Sequence, residues 1–258
     1  MRLIPLGTNG FLPSYGRQTA CYLILLDGEA ILLDAGTGAS RLIEPEVVKH
    51  LDGVERLNVV ISHYHLDHCV GLAYLSEAWP KEIVVYAPAP PFTKVGPEKA
   101  LGTLLNAPYT PPLEYYPGPV KIVPVEVETL TIAGRESRFR AQKHWRGSMG
   151  IRIADDLTYV TDTVVDEGTV EFARGVRTLF HEIWMLDDEV ARDETGRANH
   201  SNVSGVADIA RRAGVERLIV IHHHPRRTVN DLVQIAQQAA EVSGVEVIVP
   251  VEGQVYEF

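Results

Sequence analysis

The chain has 258 residues, 45% of them hydrophobic and 22% charged, a balance that suits a globular protein long enough to bury a sizeable core in one large or two small domains. Its formal charge of −10 argues against a broad, sequence-independent grip on nucleic acid, which needs clustered Lys and Arg; a small phosphorylated substrate stays possible, because bound cations reverse the local sign. No apolar run approaches the ~18 residues that span a bilayer, and MRLIPLGTNGFLP is broken by Gly and Pro before a signal-peptide core could form, so no membrane partner and a cytoplasmic location are expected.

The first third alternates short apolar runs with Gly-rich turns: RLIPLG, CYLILLDG, AILLDAG and then LNVVIS, each of strand length. Residues 40–50 suggest a short helix, 71–79 a second one stopped by Pro80, and 81–88 a further strand. Between 88 and 119 the character changes. Nine of the sixteen prolines fall there beside several tyrosines, a pattern that predicts a structureless excursion serving as a lid, a contact surface or a rigid surface loop.

The second half has strand candidates VKIVPVEV, LTIAG, SRFRAQKH, MGIRIAD, LTYVTD and TLFHEIW. SNVSGVADIARRAG has a helical period closed by Gly214, RLIVIHHHP is a buried strand ending in histidines, TVNDLVQIAQQAAEV is a helix, and VEVIVPVEG is a final strand. Two β-rich halves, each covered by helices, predict an α/β fold with sheet packed on sheet and helices outside.

ISHYHLDHC, residues 61–69, carries the chemistry. His63 and His65 leave a strand in extended conformation, where positions two apart face the same way, and Asp67 and His68 open the next helix. Three imidazoles and a carboxylate make a mixed donor set for zinc, manganese or iron, and the arrangement suits two adjacent metals. The plain alternative is a solvated polar loop, although four such groups at the end of an apolar strand are costly unless paired. Cys69 either approaches a metal or fills the core as a small hydrophobe, the latter being the expectation for Cys21. Neither cysteine forms a CxxC pair or a disulfide framework.

HYHLDH resembles the HxHxDH signature of the metallo-β-lactamase superfamily. GTNGFLPSYGRQTACYLI with ILLDAG is similar to the N-terminal hairpin of ribonuclease Z and related phosphodiesterases, and KHWRGSMGIRI to their H-x-x-x-S-x-G-x-R-I segment. YVTDT, LFHEI, NHS and LIVIHHHPR resemble four further segments in the same order.

This resemblance implies one domain over 1–258 with a four-layer αβ/βα sandwich of two mixed β-sheets. It implies two divalent metal ions, zinc first and manganese or iron next. His63, His65 and His144 would hold one ion, Asp67, His68 and His222 the other, and Asp162 would stand between them. Either of the extra residues His223 and His224 becomes the ligand if the strand slips; otherwise they face solvent or support a ligand. Asp34 would orient a metal-bound histidine or merely terminate its strand. A water shared by two cations, its pKa lowered to roughly 7, would attack while Asp67 orients it. His200 would protonate the leaving group or cap the helix that follows it, and Glu182 would hold His200 or support a ligand.

Ribonuclease Z enzymes typically carry a tRNA-clasping arm between the segments matching His144 and Asp162, and only seventeen residues separate those positions here. The resemblance therefore points to a phosphodiesterase on a small nucleotide or a cyclic or sugar phosphodiester. Its alternatives are hydrolysis of a carboxylic ester, lactone or thioester, RNA processing, or metal binding without turnover as an accessory or sensor. Homodimerisation is a further implication.

Overall fold

The computed structural model describes residues 1–190 and 200–258, so residue 199 of the NHS segment lies outside the described residues. It divides into two compact units, Met1–Val127 with Val251–Phe258, and Glu128–Pro250, each built on one mixed sheet.

The first sheet contains β1 (Arg2–Gly7), β2 (Cys21–Leu26), β3 (Glu29–Leu33), β4 (Arg56–Val60), β5 (Glu82–Pro88) and β6 (Val120–Val125) in that order, with Tyr256–Glu257 pairing on the outer side of β1. β1 to β3 are antiparallel and β3 to β6 run parallel. All six residues of CYLILL are buried, which is why this strand reads as one unbroken apolar run. One face packs Leu6, Leu23, Leu32 and Val59 against Leu42, Val47, Leu72 and Trp79 of the helical turns. Residues 40–50 are a 3-10 turn, Thr37–Ile43, and a short helix, Pro45–Val48, separated by Glu44, whose extended backbone precedes the proline.

Two expectations are corrected here. VKIVPVEV belongs to the first unit, where β6 pairs with β5; its Pro124 sits on the outermost strand, the place where a missing N–H breaks no ladder. Residues 88–119 are also not structureless. They form the crossover between these parallel strands, with a helix at Pro97–Leu104 and a 3-10 turn at Leu113–Tyr115. Pro97 occupies the first helical turn, where proline is favoured, and Leu101, Leu105 and Tyr116 bury into the core.

The second sheet runs β13-β12-β11-β10-β9-β8-β7: β7 (Thr129–Ile132), β8 (Arg135–Gln142), β9 (Ser148–Ile153), β10 (Leu157–Val160), β11 (Thr178–Glu182), β12 (Arg217–Ile221) and β13 (Glu246–Ile248). β7 to β10 form an antiparallel meander and β10 to β13 are parallel. Val203, Val206, Ala207 and Ala210 line the buried stripe of the helix Val203–Ala213, which Gly214 ends at φ 70°. The helix Val229–Ser243 opens with a reciprocal cap, in which the Thr228 hydroxyl accepts from the Asp231 amide and the Asp231 carboxylate accepts from Thr228. Among the described residues, no helix is long and apolar enough to cross a membrane.

Candidate functional site

In the first unit, β4 delivers Ser62 and His63 at its exit, and His65 precedes the short helix Leu66–Cys69, which carries Asp67 and His68. The His63 and His65 rings lie 4.5 Å apart and those of His63 and His68 4.2 Å apart. His63 Nε2 and His65 Nδ1 approach to 2.9 Å, and His68 Nε2 stands 3.2 Å from Asp67 Oδ2. Four candidate donors thus converge from six consecutive residues.

Asp34, fully buried just past β3, organises them from behind. Its Oδ1 accepts the Ser62 amide at 2.7 Å; its Oδ2 accepts the Ser62 hydroxyl at 2.8 Å and His68 Nδ1 at 2.7 Å. Ser62 Oγ in turn lies 3.1 Å from His63 Nδ1. With their Nδ1 atoms engaged, His63 and His68 both present Nε2 away from Asp34, the orientation a carboxylate imposes on ligating imidazoles. Asp67 Oδ2 accepts the backbone N–H of Phe11 at 2.6 Å, an interaction that no side-chain pattern announces. Cys69 points elsewhere. Its thiol donates to the carbonyls of Tyr64 and His65, and burial pushes it up to about 12, so it serves as a small core residue.

In the second unit, His144 follows β8, and its Nε2 lies 3.4 Å from Asp162 Oδ2. Asp162 lies just past β10 and His222 directly past β12; Asp162 Oδ1 is 3.0 Å from His222 Nε2. Asp162, His200 and His222 each offer one donor atom within 4.8 Å of the others. The structure brings His222 to this group; His223 is buried outside it, and His224 Nδ1 accepts the Arg226 amide.

Glu182 closes β11 and is fully buried. Its Oε1 accepts the amides of Thr163 at 2.8 Å and Ser201 at 3.3 Å, while its Oε2 faces His200 Nδ1 at 2.8 Å and His222 Nδ1 at 3.2 Å. Burial by itself would raise the Glu182 carboxyl, but the His200 charge and the hydrogen bonds from His200 and His222 outweigh it and bring the group to about 2. His200 is the mirror case: burial lowers it, and Glu182 more than reverses that, so it titrates above its ordinary value. Glu182 therefore supports both histidines.

Asp34, Asp162 and His222 all have positive φ (56°, 46° and 53°), a left-handed backbone that costs an L-residue about 1–2 kcal/mol. All three stand just beyond the C-terminal ends of strands, where backbone strain accompanies functional placement. The donor set of imidazoles and carboxylates in each unit fits a borderline divalent cation such as zinc, with no thiolate in either group among the described residues. Sequence reading missed Phe11 and also Trp184, whose indole stacks on His200. Glu182 and Trp184 stand two apart at a strand exit, a spacing that in extended chain faces one way and was the available signal for the latter.

A family model described as a beta-lactamase superfamily domain matches residues 29–223. The ribonuclease Z of Haloarcula marismortui is 23% identical over 93% of this chain and 92% of its own length, and that of Streptomyces coelicolor is 28% identical over 87% of each. Among solved structures, the metallo-beta-lactamase fold protein YhfI from Bacillus subtilis matches with a TM-score of 0.74 at 19% identity, covering 99% of this chain and 98% of that one. The short form of human tRNase Z (ELAC1) matches at 0.68 and 17% identity, covering 100% and 99% of the two chains. A diphosphatase from the PhnP family gives 0.65 at 17%, covering 100% and 97%. At such identities the structural likeness speaks for the fold.

Proposed function

The chain belongs to the beta-lactamase superfamily and has the metallo-β-lactamase fold, and from that premise we propose that it is a metal-dependent hydrolase of small phosphodiesters, such as a cyclic nucleotide or sugar phosphodiester. The proposal treats 1–258 as one functional domain, in keeping with a family match that runs through both units. His63, His65 and His144 are proposed to hold one divalent ion and Asp67, His68 and His222 a second, with Asp162 serving both. Zinc is the first choice on donor chemistry.

Bound cations of this kind would acidify a water and offset the negative charge carried by the phosphoryl oxygens. The residues do the rest. Asp67, fixed by the Phe11 amide, orients the attacking water. His200, held at Nδ1 by Glu182, gives its Nε2 proton to the leaving oxygen as the bond to phosphorus breaks. That pair is the observation that carries the reading, because an alkoxide leaving group needs a proton and an activated ester does not.

The diester substrate class is supported by relatives named ribonuclease Z. RNA processing remains the second reading on the strength of those names. Against it, the segment between His144 and Asp162 is occupied by the compact β9–β10 hairpin, and the net charge is −10.

A panel decides between the readings: bis-p-nitrophenyl phosphate, 2′,3′-cyclic AMP, a precursor tRNA with a 3′ trailer, a lactone and a thioester. Cleavage of the two small diesters is expected. Turnover of the lactone or thioester alone moves the chain to carboxylic ester chemistry. Efficient tRNA cleavage would establish the second reading, and no turnover with metal bound would leave a binding protein.

A further inference from the structure

Trp184 stands two residues beyond Glu182, and its indole lies on His200 with ring centroids 4.5 Å apart and planes 16° from parallel. The same indole stands 5.3 Å from His222 at 29° and meets His224 edge-on at 4.6 Å. Its backbone is tied on both sides. The Trp184 amide donates to Ser201 O at 3.0 Å, and its carbonyl accepts Arg227 Nη2 at 3.0 Å. Arg227 is itself nine-tenths buried and paired with Glu189. The Trp184 backbone is thus held by contacts that do not involve the His200 ring, and its indole also meets the rings of His222 and His224.

His200 needs such a neighbour. Its hydrogen bond from Nδ1 to Glu182 and its own Cβ–Cγ bond hold one edge of the ring. Nε2 lies on the far side, where that edge alone does not buttress it against tilting. A flat partner in stacked contact supplies the missing constraint, since near-parallel aromatic rings resist tilting.

We propose that Trp184 is a positioning residue that sets the plane of His200 and so aims its Nε2 proton at the leaving oxygen. This rests on the reading of His200 as the proton donor. In that step the water oxygen, its proton released to solvent, bonds to phosphorus, the phosphorus–leaving-oxygen bond breaks, and the Nε2 proton passes to the departing oxygen. The imidazole keeps its Nδ1 proton on Glu182. A proton donor displaced by about 1 Å loses on the order of a hundredfold in rate, so loss of the stack is felt only where that proton is needed.

The test compares Trp184→Leu, Trp184→Phe and His200→Ala with the unaltered protein, each assayed for bound metal and for kcat and KM on two diesters. Bis-p-nitrophenyl phosphate has a leaving group that departs without a proton; 2′,3′-cyclic AMP releases a ribose alkoxide that needs one. Trp184→Leu is expected to lose roughly ten- to a hundredfold in kcat on the cyclic nucleotide, to stay within about threefold on the nitrophenyl ester, and to keep its metal. Trp184→Phe restores a flat ring and should recover most of the difference. If Trp184→Leu does not accumulate folded, Trp184→Phe carries the test alone, with a smaller loss confined to the cyclic nucleotide.

Equal losses on both substrates overturn the proposal, and so does no loss on either while His200→Ala is selectively impaired. If His200→Ala itself shows no dependence on the leaving group, the proton-donor reading fails instead.

Discussion

Asp34 and His68 are thirty-four positions apart in the chain, yet the Asp34 carboxylate accepts His68 Nδ1 at 2.7 Å with both side chains fully buried. The same carboxylate takes the amide and hydroxyl of Ser62, whose oxygen meets His63 Nδ1. One acid therefore orients two candidate ligands.

Asp34→Asn isolates this role. Asparagine tolerates the left-handed backbone at φ 56°, but its amide nitrogen cannot accept from His68 or Ser62. Metal affinity should fall about 10- to 100-fold, the usual cost of losing a carboxylate behind a ligating imidazole. Competition against a chelating dye measures it; unchanged affinity would assign Asp34 a purely structural role.

Gly36 allows the turn after β3 to touch the turn that carries the candidate ligands Asp67 and His68. A Cβ there would lie 2.1 Å from Asp67 O and 2.4 Å from Thr19 Oγ1, against backbone that cannot retreat. Gly36→Ala should destabilise by several kcal/mol and weaken metal binding, whereas Gly16→Ala, in open space at φ 74°, should cost about 1 kcal/mol and leave metal binding alone. Urea unfolding and metal titration of the two variants separate the effects. Equal costs would mean that the contact at Gly36 is easily relieved.

Much of this was legible in the sequence, for identifiable reasons. Strands such as CYLILL and RLIVI are apolar runs of strand length cut by Gly or Asp, and the six-residue stretch from His63 to His68 is local enough for geometry to follow from chain direction alone. The helix Pro97–Leu104 was hidden because the prolines around it read as breakers, although Pro97 stands where a helix starts. VKIVPV could not be assigned to a sheet, since its partner β5 lies across a long crossover and pairing depends on tertiary contact. The Phe11 amide was invisible because a backbone donor leaves no mark in side-chain identity. For Trp184, the residue type was visible and the stack was not.

Both cysteines should be inert in the native protein. Burial raises both thiols, Cys69 to about 12, and Cys69 donates to the carbonyls of Tyr64 and His65. Iodoacetamide at neutral pH should label neither until the chain is unfolded, because the thiolate is the reactive form. Cys69→Ala should retain its full metal content at a stability cost of about 1 kcal/mol. A loss of metal in that variant would return Cys69 to the list of ligands.

Glu182 and His200, 2.8 Å apart, give the protein a pH signature of its own. Glu182 is depressed from 4.5 to about 2, so its contribution is present above roughly 4.5 and is lost as pH falls towards 2. His200 is raised above 6.5, so its contribution is complete below that value and is lost as pH rises through the folded one. Chelator-treated protein should therefore hold a stability plateau between about pH 4.5 and 6.5 from this pair. Other carboxylates titrate in the same range, so the informative quantity is the difference between the unaltered protein and Glu182→Gln in thermal unfolding from pH 3 to 9. That difference should be greatest on the plateau and shrink on both sides. A difference that stays constant across the range would mean that the two residues are not an ion pair in the folded state.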